Sequence, residues 1–532
     1  MERFLLAPEA PGLSGERDRL LARLAALVPD AEVLEVGSTA IPGCIGKGDL
    51  DVLVRAPAAR FEAVRAALDA VFPRNPHQLS NAEYQGYTVP SELDVAIQCT
   101  VKGGPYDDFE PFLVALRGDP GLVRDYDALK RQWNGQPMDA YRAAKSAFIR
   151  GVLDGPEAVP ESCEVAIVGA SLAGVALALY LARAGVDVVL LEARRTVGNS
   201  VSGLGTGPVE HGVVEQPHRT IRALGERVAD LHAFTARNRE LLADEGLFER
   251  CGVVWVATQD GERAEIAESV AALAGCGIPG EAWSPEQVAA WAGRPLGPAL
   301  FLPDDGRLDP GPALHTLLGR AREAGARVVL GVPCTVRDGE PLVVEARGTP
   351  LTAEVVVFTA GIGCAGLDAR LGASLTPVRD QALLTAPTEV PPALGFGRAG
   401  QGWTTWRPHP SGGLVVSGAR WATPHMELGE SDPTVVEPRI QARLEGFLRD
   451  SLRCEAPIVD RWAWVFASTR DGLPLLGPLP GQPRRIACVG FGANPASFAL
   501  AAARSVADGL LDGGGEVPWM LSSRRLVRWT HG

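Results

Sequence analysis

The sequence predicts a protein of the α/β and α+β class, in which two modules of mixed helix and strand follow one another. At 532 residues the chain exceeds what one hydrophobic core serves, so two or three domains are expected. All lysines lie before residue 150, whereas the later cationic side chains are arginines, which indicates a change of module near that point. We place the first module at 1–152, a turn-rich linker at 153–162 and the second module at 163–532.

The spacing of apolar residues predicts the elements of both modules. In the first module we expect helices at 15–28, at 60–72 and over most of 111–152, and strands at 32–36, 50–54 and 93–98. In the second we expect helices at 173–184, 218–245 and 311–324, and strands at 165–168, 186–191, 328–330, 355–358 and 413–417. Strand-like pieces with Pro and Gly punctuation fill 248–302.

Composition and charge exclude several classes of partner. The net charge of −13 would repel nucleic acid, so no nucleic-acid partner is expected. The nine cysteines are scattered singly without a Cys-x-x-Cys pair, and no signal peptide is visible, which together favour a reducing, cytoplasmic location. One apolar run, 165–182, has the length of a membrane span, but Gly169 and Gly174 interrupt it, and a buried strand followed by a buried helix explains it better.

A candidate catalytic and metal site lies in the first module. Asp49 and Asp51 alternate along a predicted strand and therefore point to the same face. Two such carboxylates can hold a divalent cation such as Mg²⁺, which in turn binds the phosphates of a nucleotide, and Asp94 on a neighbouring strand can act as a third ligand or as a base. Gly37 and Ser38 provide a backbone turn and a hydroxyl group for a phosphate.

The first module resembles the nucleotidyltransferase superfamily and, within it, the GrpB-like proteins. The resemblance rests on Val36-Gly37-Ser38-Thr39-Ala40-Ile41-Pro42-Gly43, on Lys47 ahead of the acids, and on the segments 116–120, 126–130 and 141–149. It implies a nucleotidyltransferase-like fold with a metal and nucleoside triphosphate site, in which Gly37, Ser38 and Lys47 contact the nucleotide. The family does not imply a settled activity.

The second module opens with a pattern typical of dinucleotide binding. A predicted strand ends in Gly169-x-Ser171-x-x-Gly174, a helix follows, and the next strand ends at Glu192. The turn and the free N–H groups at the helix start suit a pyrophosphate, and the acid suits a ribose hydroxyl. Ser171 replaces the middle glycine of the pattern.

Further segments resemble the glycine oxidase and D-amino-acid oxidase (DAO) family of FAD-dependent oxidoreductases. They are, in the family's order, 192–195 with 197–203, 303–310, 333–335, 359–361, 377–381, 469–478 and 490–494. The resemblance implies a Rossmann-type FAD-binding domain (about 163–245, 303–376 and 469–515) with an interleaved β-rich substrate domain (about 246–302 and 377–468). It implies FAD contacts from Gly169, Ser171, Gly174, Glu192, Arg194, Arg195, Ser200, Cys334, Ala360, Gly361, Asp471, Gly490, Gly492, Asn494 and Pro495.

The implied activity is oxidation of a C–N bond in an amine or amino-acid-like small molecule. A hydride passes from the carbon next to nitrogen to flavin N5, and the imine leaves and is hydrolysed. We expect an oxidase with molecular oxygen as acceptor rather than a dehydrogenase. Asn494-Pro495 departs from the family's Asn-Gly, so a hydrogen bond at the flavin edge is arranged differently.

Substrate recognition also departs from the family. Where glycine oxidase-like enzymes place an arginine for the substrate carboxylate, this chain has Phe466. Arg379, Arg407 and Arg420 are the candidate replacements. Trp403, Trp406, Trp462 and Trp464 are candidate walls of an apolar or aromatic pocket, with core packing expected for at least half of them.

Three interpretations of the whole chain follow. In the first, the flavin module oxidises an amine and the front module transfers a nucleotidyl group. In the second, a single flavin oxidase carries a front module that binds nucleotide or serves as a regulatory or scaffold unit. In the third, the flavin module is structural and not catalytic.

Overall fold

The computed structural model describes residues 2–212, 215–293, 296–388, 396–400 and 402–526. The chain forms two compact units, Met1–Gly155 and Pro156–Gly532. Residues 527–532 at the end of the predicted second module, and 389–395 and 401 within its predicted substrate part, lie outside the described residues. The predicted α/β and α+β class is confirmed, because each unit contains both helices and sheets.

The first unit is a four-stranded sheet with helices packed against it. The strands lie in the order Glu32–Val36, Leu50–Ala56, Val95–Val101 and Tyr84–Thr88, with a parallel pair in the centre and antiparallel pairs outside. Its helices are Leu13–Leu27, Phe61–Asp69, Phe109–Gly118, Pro120–Trp133 and Met138–Leu153. Side chains of the central strand alternate between two apolar cores: Val52 and Val54 pack with the first two helices, and Leu53 packs with the last three.

The second unit is built on a largely parallel sheet. Its strands lie in the order Arg327–Leu330, Val188–Glu192, Ser162–Val168, Thr349–Phe358, Leu342–Ala346 and Cys334–Arg337, and Gln482–Val489 adds to Thr349–Phe358 in parallel and pairs with Leu475–Leu479. The helix Leu172–Arg183 is buried almost all round. The apolar run 165–182 is therefore a buried strand and helix, and no helix among the described residues is long and apolar enough to cross a membrane.

A second eight-stranded sheet in this unit is mostly antiparallel. Its order is Ile458–Thr469, Leu375–Thr385, Leu414–Gly418, Thr404–Pro408, Phe396–Ala399, Val253–Val256, Ala299–Leu302 and Glu281–Trp283. Pro208–Val209 and Gly306–Arg307 form a separate short pair.

The remaining helical segments of the second unit connect or cover these sheets. The α-helices are Val201–Leu204, Pro217–Leu224, Val228–Asp244, Asp260–Gly275, Pro285–Ala292, Pro310–Glu323, Ala369–Gly372, Pro438–Gly446 and Ala499–Leu511. Phe447–Ser451 is a π-helical turn, and short 3₁₀ turns include Gly361–Gly366, Arg420–Ala422 and Pro495–Ser497.

Three examples illustrate where the structure differs from the sequence predictions. The helix expected over 218–245 is two helices, because Gly225 takes a positive φ of 57° and ends the first. The stretch 248–302 contains the helices Asp260–Gly275 and Pro285–Ala292 besides strands. The strand Tyr84–Thr88 was not predicted; it pairs with Val95–Val101 at the edge of the first sheet.

Candidate active site

The glycine-rich turn at the end of Ser162–Val168 brings two chain segments into close contact. Gly169 has a φ of +107°, and a Cβ atom there would lie 2.3 Å from Ala360 Cα. A Cβ atom on Gly174 would lie 2.3 Å from the Gly169 carbonyl oxygen. Ser171 caps the helix that begins at Leu172, since its Oγ accepts a hydrogen bond from the Gly174 N–H at 3.2 Å. The turn thus requires both glycines, and Ser171 has a capping role of its own.

Glu192 lies at the end of the neighbouring strand and holds this turn. Its Oε2 accepts a hydrogen bond from the Ala170 N–H at 2.8 Å, and its Oε1 accepts one from the Arg194 N–H at 3.0 Å. Burial raises the pKa of Glu192, although the N–H donors oppose that shift. A carboxylate fixed in this position beside the first turn is the group expected to meet a ribose hydroxyl.

A groove of about 390 Å³ runs along the ends of the parallel strands. Most of the residues predicted to contact the cofactor line it, and they come from segments far apart in sequence: Gly169, Ser171, Glu192, Arg194, Ser200, Cys334, Ala360, Gly361, Gly490, Gly492 and Pro495. Gly361 has a φ of +56° and open space where a Cβ atom would lie. Burial, together with the charge of Glu192, raises the pKa of the Cys334 thiol to about 12, so Cys334 contributes a neutral, apolar contact.

Four residues predicted to bind the cofactor lie elsewhere. Gly174 packs beneath the turn, and Arg195 lies over Gly331, where a Cβ atom would come within 2.7 Å of Arg195 Cδ. Asp471 closes its own turn by accepting a hydrogen bond from the Leu473 N–H at 3.1 Å, and it pairs with Arg525. Asn494 lines an adjoining cavity and not the groove.

Asn494 belongs to a buried ionic cluster that the sequence analysis missed. Its Nδ2 donates to Glu210 Oε2 at 3.0 Å, and Glu210 forms a bidentate pair with Arg398 at 2.7 and 2.6 Å. The Asn494 Oδ1 atom is buried without a hydrogen-bond partner. In the sequence, Glu210 is an isolated acidic residue of the kind usually found at the surface. No sequence pattern therefore indicated that it pairs with Arg398.

The adjoining cavity has a volume of about 460 Å³ and shares Phe466, Phe491 and Gly492 with the groove. Arg420 lies in its wall with the guanidinium carbon 5.3 Å from the ring centres of both Trp403 and Phe466. Thus one of the candidate carboxylate-binding arginines lies next to Phe466, the residue found where the family has its arginine.

Asp380 lies near Arg420. In the segment 377–381, which resembles the DAO family, Asp380 stands where the family has a glycine. Its Oδ2 atom is 3.9 Å from Arg420 Nε. Burial raises the pKa of Asp380, and the charge of Arg420 opposes that shift. The pair is a loose one, because 3.9 Å exceeds hydrogen-bond length.

Arg379 and Arg407, the other two candidate clamps, lie outside this cavity. Arg379 is buried and bound to Glu427 at 2.6 Å. Arg407 is paired with Asp309 at 3.4 Å, and burial lowers its pKa. Both are paired with acids inside the fold, so of the three candidate arginines only Arg420 lines this cavity.

In the first unit the predicted site has a different arrangement of charges. Lys47 Nζ lies 2.8 Å from Asp49 Oδ2 and 3.6 Å from Asp94 Oδ2, and the Asp94 side chain is 76 % exposed. Within residues 2–155 as described, no three acid, histidine or cysteine side chains are placed to hold a metal ion. The joint ligation of Mg²⁺ by Asp49, Asp51 and Asp94 stays a prediction, and the structure places the Lys47 ammonium group beside two of these carboxylates.

Asp51 remains an unusual group in this unit. A Cβ atom on Gly37, which has a φ of +82°, would lie 2.9 Å from Asp51 Oδ2, so the glycine turn that precedes Ser38 packs directly on the carboxylate. Burial, and then the charge of Asp49, raises the pKa of Asp51 to about 6.

The parallel sheet, the glycine turn and the acid at the end of the next strand define a dinucleotide-binding protein, and the groove residues fit the elongated, doubly charged FAD. The family described as FAD dependent oxidoreductase (DAO) matches residues 164–509, and the GrpB protein family matches residues 6–154. The chain belongs to the DAO family of FAD-dependent oxidoreductases, and its amino-terminal unit belongs to the GrpB family.

Individual relatives agree with this assignment. A UPF0157 protein of Vibrio cholerae is 37 % identical over 131 residues, which cover 24 % of this chain and 70 % of that protein. L-proline dehydrogenase from P. horikoshii superposes with a TM-score of 0.59 at 18 % identity, over 70 % of this chain and 99 % of that one. Glycine oxidase from Geobacillus kaustophilus superposes with a TM-score of 0.56 at 22 % identity, over 68 % and 98 %. These similarities establish the fold.

Proposed function

We propose that the second unit oxidises the C–N bond of an amino-acid-like small molecule, with Arg420 binding the substrate carboxylate. The observation that carries the proposal is the position of Arg420 in a cavity that adjoins the cofactor groove through Phe466, Phe491 and Gly492. Bound FAD supplies the acceptor for the hydrogen and electron pair of the C–H bond next to nitrogen. The solved relatives include proteins named proline dehydrogenase and glycine oxidase, which act on amino acids.

Arg420 suits this role by its surroundings. Its side chain is 13 % exposed, and the centres of the Trp403 and Phe466 rings each lie 5.3 Å from its guanidinium carbon. A guanidinium group in such a low-dielectric wall binds a carboxylate more strongly than one in water, and its fixed plane favours two parallel hydrogen bonds. A carboxylate bound there orients the rest of the substrate toward the groove.

Replacing Arg420 by methionine tests this proposal. We expect kcat/KM for carboxylate-bearing amines to fall roughly 100-fold, because a charge-assisted bidentate pair contributes about 3 kcal/mol. The flavin content of the protein should stay the same. The assay follows substrate-dependent reduction of the flavin and, in parallel, formation of hydrogen peroxide, since we propose oxygen as the acceptor.

Arg443→Met is the matched control. Arg443 lies over the Trp421 ring at 5.4 Å, outside the cavity, and so repeats the arginine–tryptophan contact without the proposed role. A kcat/KM for Arg420→Met as high as that of Arg443→Met would contradict the proposal. Flavin reduction without peroxide formation would support the proposed substrate class and would indicate that the acceptor is not oxygen.

For the amino-terminal unit we propose a binding or regulatory role without metal-dependent nucleotidyl transfer. The observation in support is the Lys47 ammonium group, which lies within 3.6 Å of both Asp49 and Asp94, where a divalent cation would bridge them. Lys47 thus neutralises the carboxylates that a cation would need.

Incubation with ATP or CTP and magnesium tests the role of this unit. We expect no pyrophosphate release beyond that of an Asp49→Asn variant, because Asp49 is already paired with Lys47. Pyrophosphate release that is rapid in the natural protein and lost in Asp49→Asn would instead favour the first interpretation, in which the front module transfers a nucleotidyl group.

A further inference from the structure

The cavity beside the groove has the size and lining of a site for a bulky apolar molecule with one carboxylate. Its volume of about 460 Å³ falls in the range of pockets that enclose ligands far larger than glycine. We infer that this enzyme selects amino acids, or similar amines, that carry a large apolar group, and that the stack of Trp403, Arg420 and Phe466 makes the selection. The inference rests on the proposed function and names its substrate class.

The walls of the cavity are largely apolar. Besides the stack, the apolar lining consists mainly of Leu224, Leu473, Phe491 and Phe498, and polar groups come from Glu215, Thr220, Ser468 and Asn494. A small substrate would leave these side chains facing water or empty space, whereas a phenyl or long alkyl group would bury apolar area against them. The apolar walls therefore favour binding of substrates with a large apolar group.

Two charged side chains at the rim of the cavity are paired within the fold, and Glu215 adds a carboxyl group to the same lining. Arg219 forms an ion pair with Glu265, and Asp471 is bound to Arg525 at 2.8 Å. Arg420 differs, because the Asp380 carboxylate is 3.9 Å from its Nε, beyond hydrogen-bond length. Its Nη1 donates a long hydrogen bond of 3.5 Å to the Met426 carbonyl oxygen, and its remaining N–H groups are able to donate to a substrate carboxylate.

The stack links the charged and apolar parts of recognition. Both rings lie 5.3 Å from the guanidinium carbon, so they restrict the plane in which a carboxylate can bind. An apolar group attached to that carboxylate then lies alongside the same rings. Loss of one ring should weaken bulky ligands and leave small carboxylates almost unaffected.

Binding of non-reacting ligands to the FAD-loaded enzyme tests the inference. Acetate, butyrate, 3-phenylpropanoate and the uncharged 3-phenylpropan-1-ol are titrated against the flavin spectrum and, independently, by calorimetry. We expect about fourfold tighter binding for each buried methylene, and 3-phenylpropanoate at least about 100-fold tighter than acetate. The alcohol should bind at least about 10-fold more weakly than the matching acid.

Variants separate the two parts of the site. Trp403→Leu should lose about 10-fold in affinity for 3-phenylpropanoate and little for acetate, since one ring contributes on the order of the energy of an aromatic contact. Trp421→Leu is the matched control, because Trp421 is an exposed ring next to Arg420 in sequence that does not line the cavity. Trp421→Leu should bind every ligand as the natural protein does.

The outcomes distinguish this inference from the function on which it rests. Equal affinities for acetate and 3-phenylpropanoate in a flavin-loaded enzyme would overturn the inference and leave the proposed oxidation intact. Equal losses in Trp403→Leu and Trp421→Leu would overturn the role of the stack. A colourless protein that FAD cannot reconstitute would overturn the proposed function, and the inference with it.

Discussion

Replacing Glu210 by alanine is expected to lower the free energy of unfolding of the second unit by about 3–5 kcal/mol. Glu210 and Arg398 are joined by two hydrogen bonds, and their side chains are only 3 % and 2 % exposed. Removing the carboxylate leaves the Arg398 charge buried without its partner and also deprives Asn494 of its acceptor. The penalty is therefore that of an uncompensated charge and not that of one lost contact.

Urea unfolding followed by tryptophan fluorescence measures this effect. Trp133 is the one tryptophan of the first unit, so the signal comes mainly from the second. The double variant Glu210→Leu with Arg398→Met should recover most of the loss, because it removes both charges. Asp450→Ala, which breaks the exposed pair with Arg449, should cause no measurable change. A loss for Glu210→Ala no greater than that of this surface control would refute the prediction.

Replacing Gly169 by alanine is expected to weaken FAD binding at least about 100-fold, since the strain and displacement at such a position amount to about 3 kcal/mol. The new methyl group would lie 2.3 Å from Ala360 Cα, within backbone that also lines the groove. Either the first turn or the segment Ala360–Gly361 must move, and both are placed to contact the cofactor.

The flavin-to-protein ratio after gel filtration gives the result. Gly185→Ala is a matched control. Gly185 also has a positive φ, of 82°, but it has open space where the Cβ atom would lie. This control repeats the backbone strain without the close approach. If both variants retained FAD equally, the contact between Gly169 and Ala360 would have no role in holding the cofactor.

Much of the cofactor site could be predicted because it follows from local pattern and topology. Apolar runs predicted the strands that end near Gly169, Glu192 and Gly361, and the carboxyl ends of parallel strands meet at one edge of a sheet. Small residues at those ends indicate close approach of backbone, which is readable from sequence alone. The groove formed by these ends was therefore within reach of sequence reasoning.

The residues that needed the structure are those whose role depends on a distant partner. Arg379, Arg407 and Arg420 look alike in sequence, and only their pairing with Glu427, with Asp309 or loosely with Asp380 distinguishes them. In the same way, the distance from Lys47 to Asp49 decides whether a cation fits beside the acid. Side-chain pairing across the fold has no periodicity, so sequence patterns do not reveal it.

The cofactor groove and the arginine proposed to bind substrate follow strands of different sheets, which has a consequence for how such an enzyme diversifies. Gly169 and Glu192 follow strands of the parallel sheet, whereas Arg420 follows Leu414–Gly418 of the antiparallel one. Substitutions in the short segment around Arg420 can therefore change which substrate binds without changing the residues that line the cofactor groove. One cofactor chemistry can in this way serve different substrates within a family.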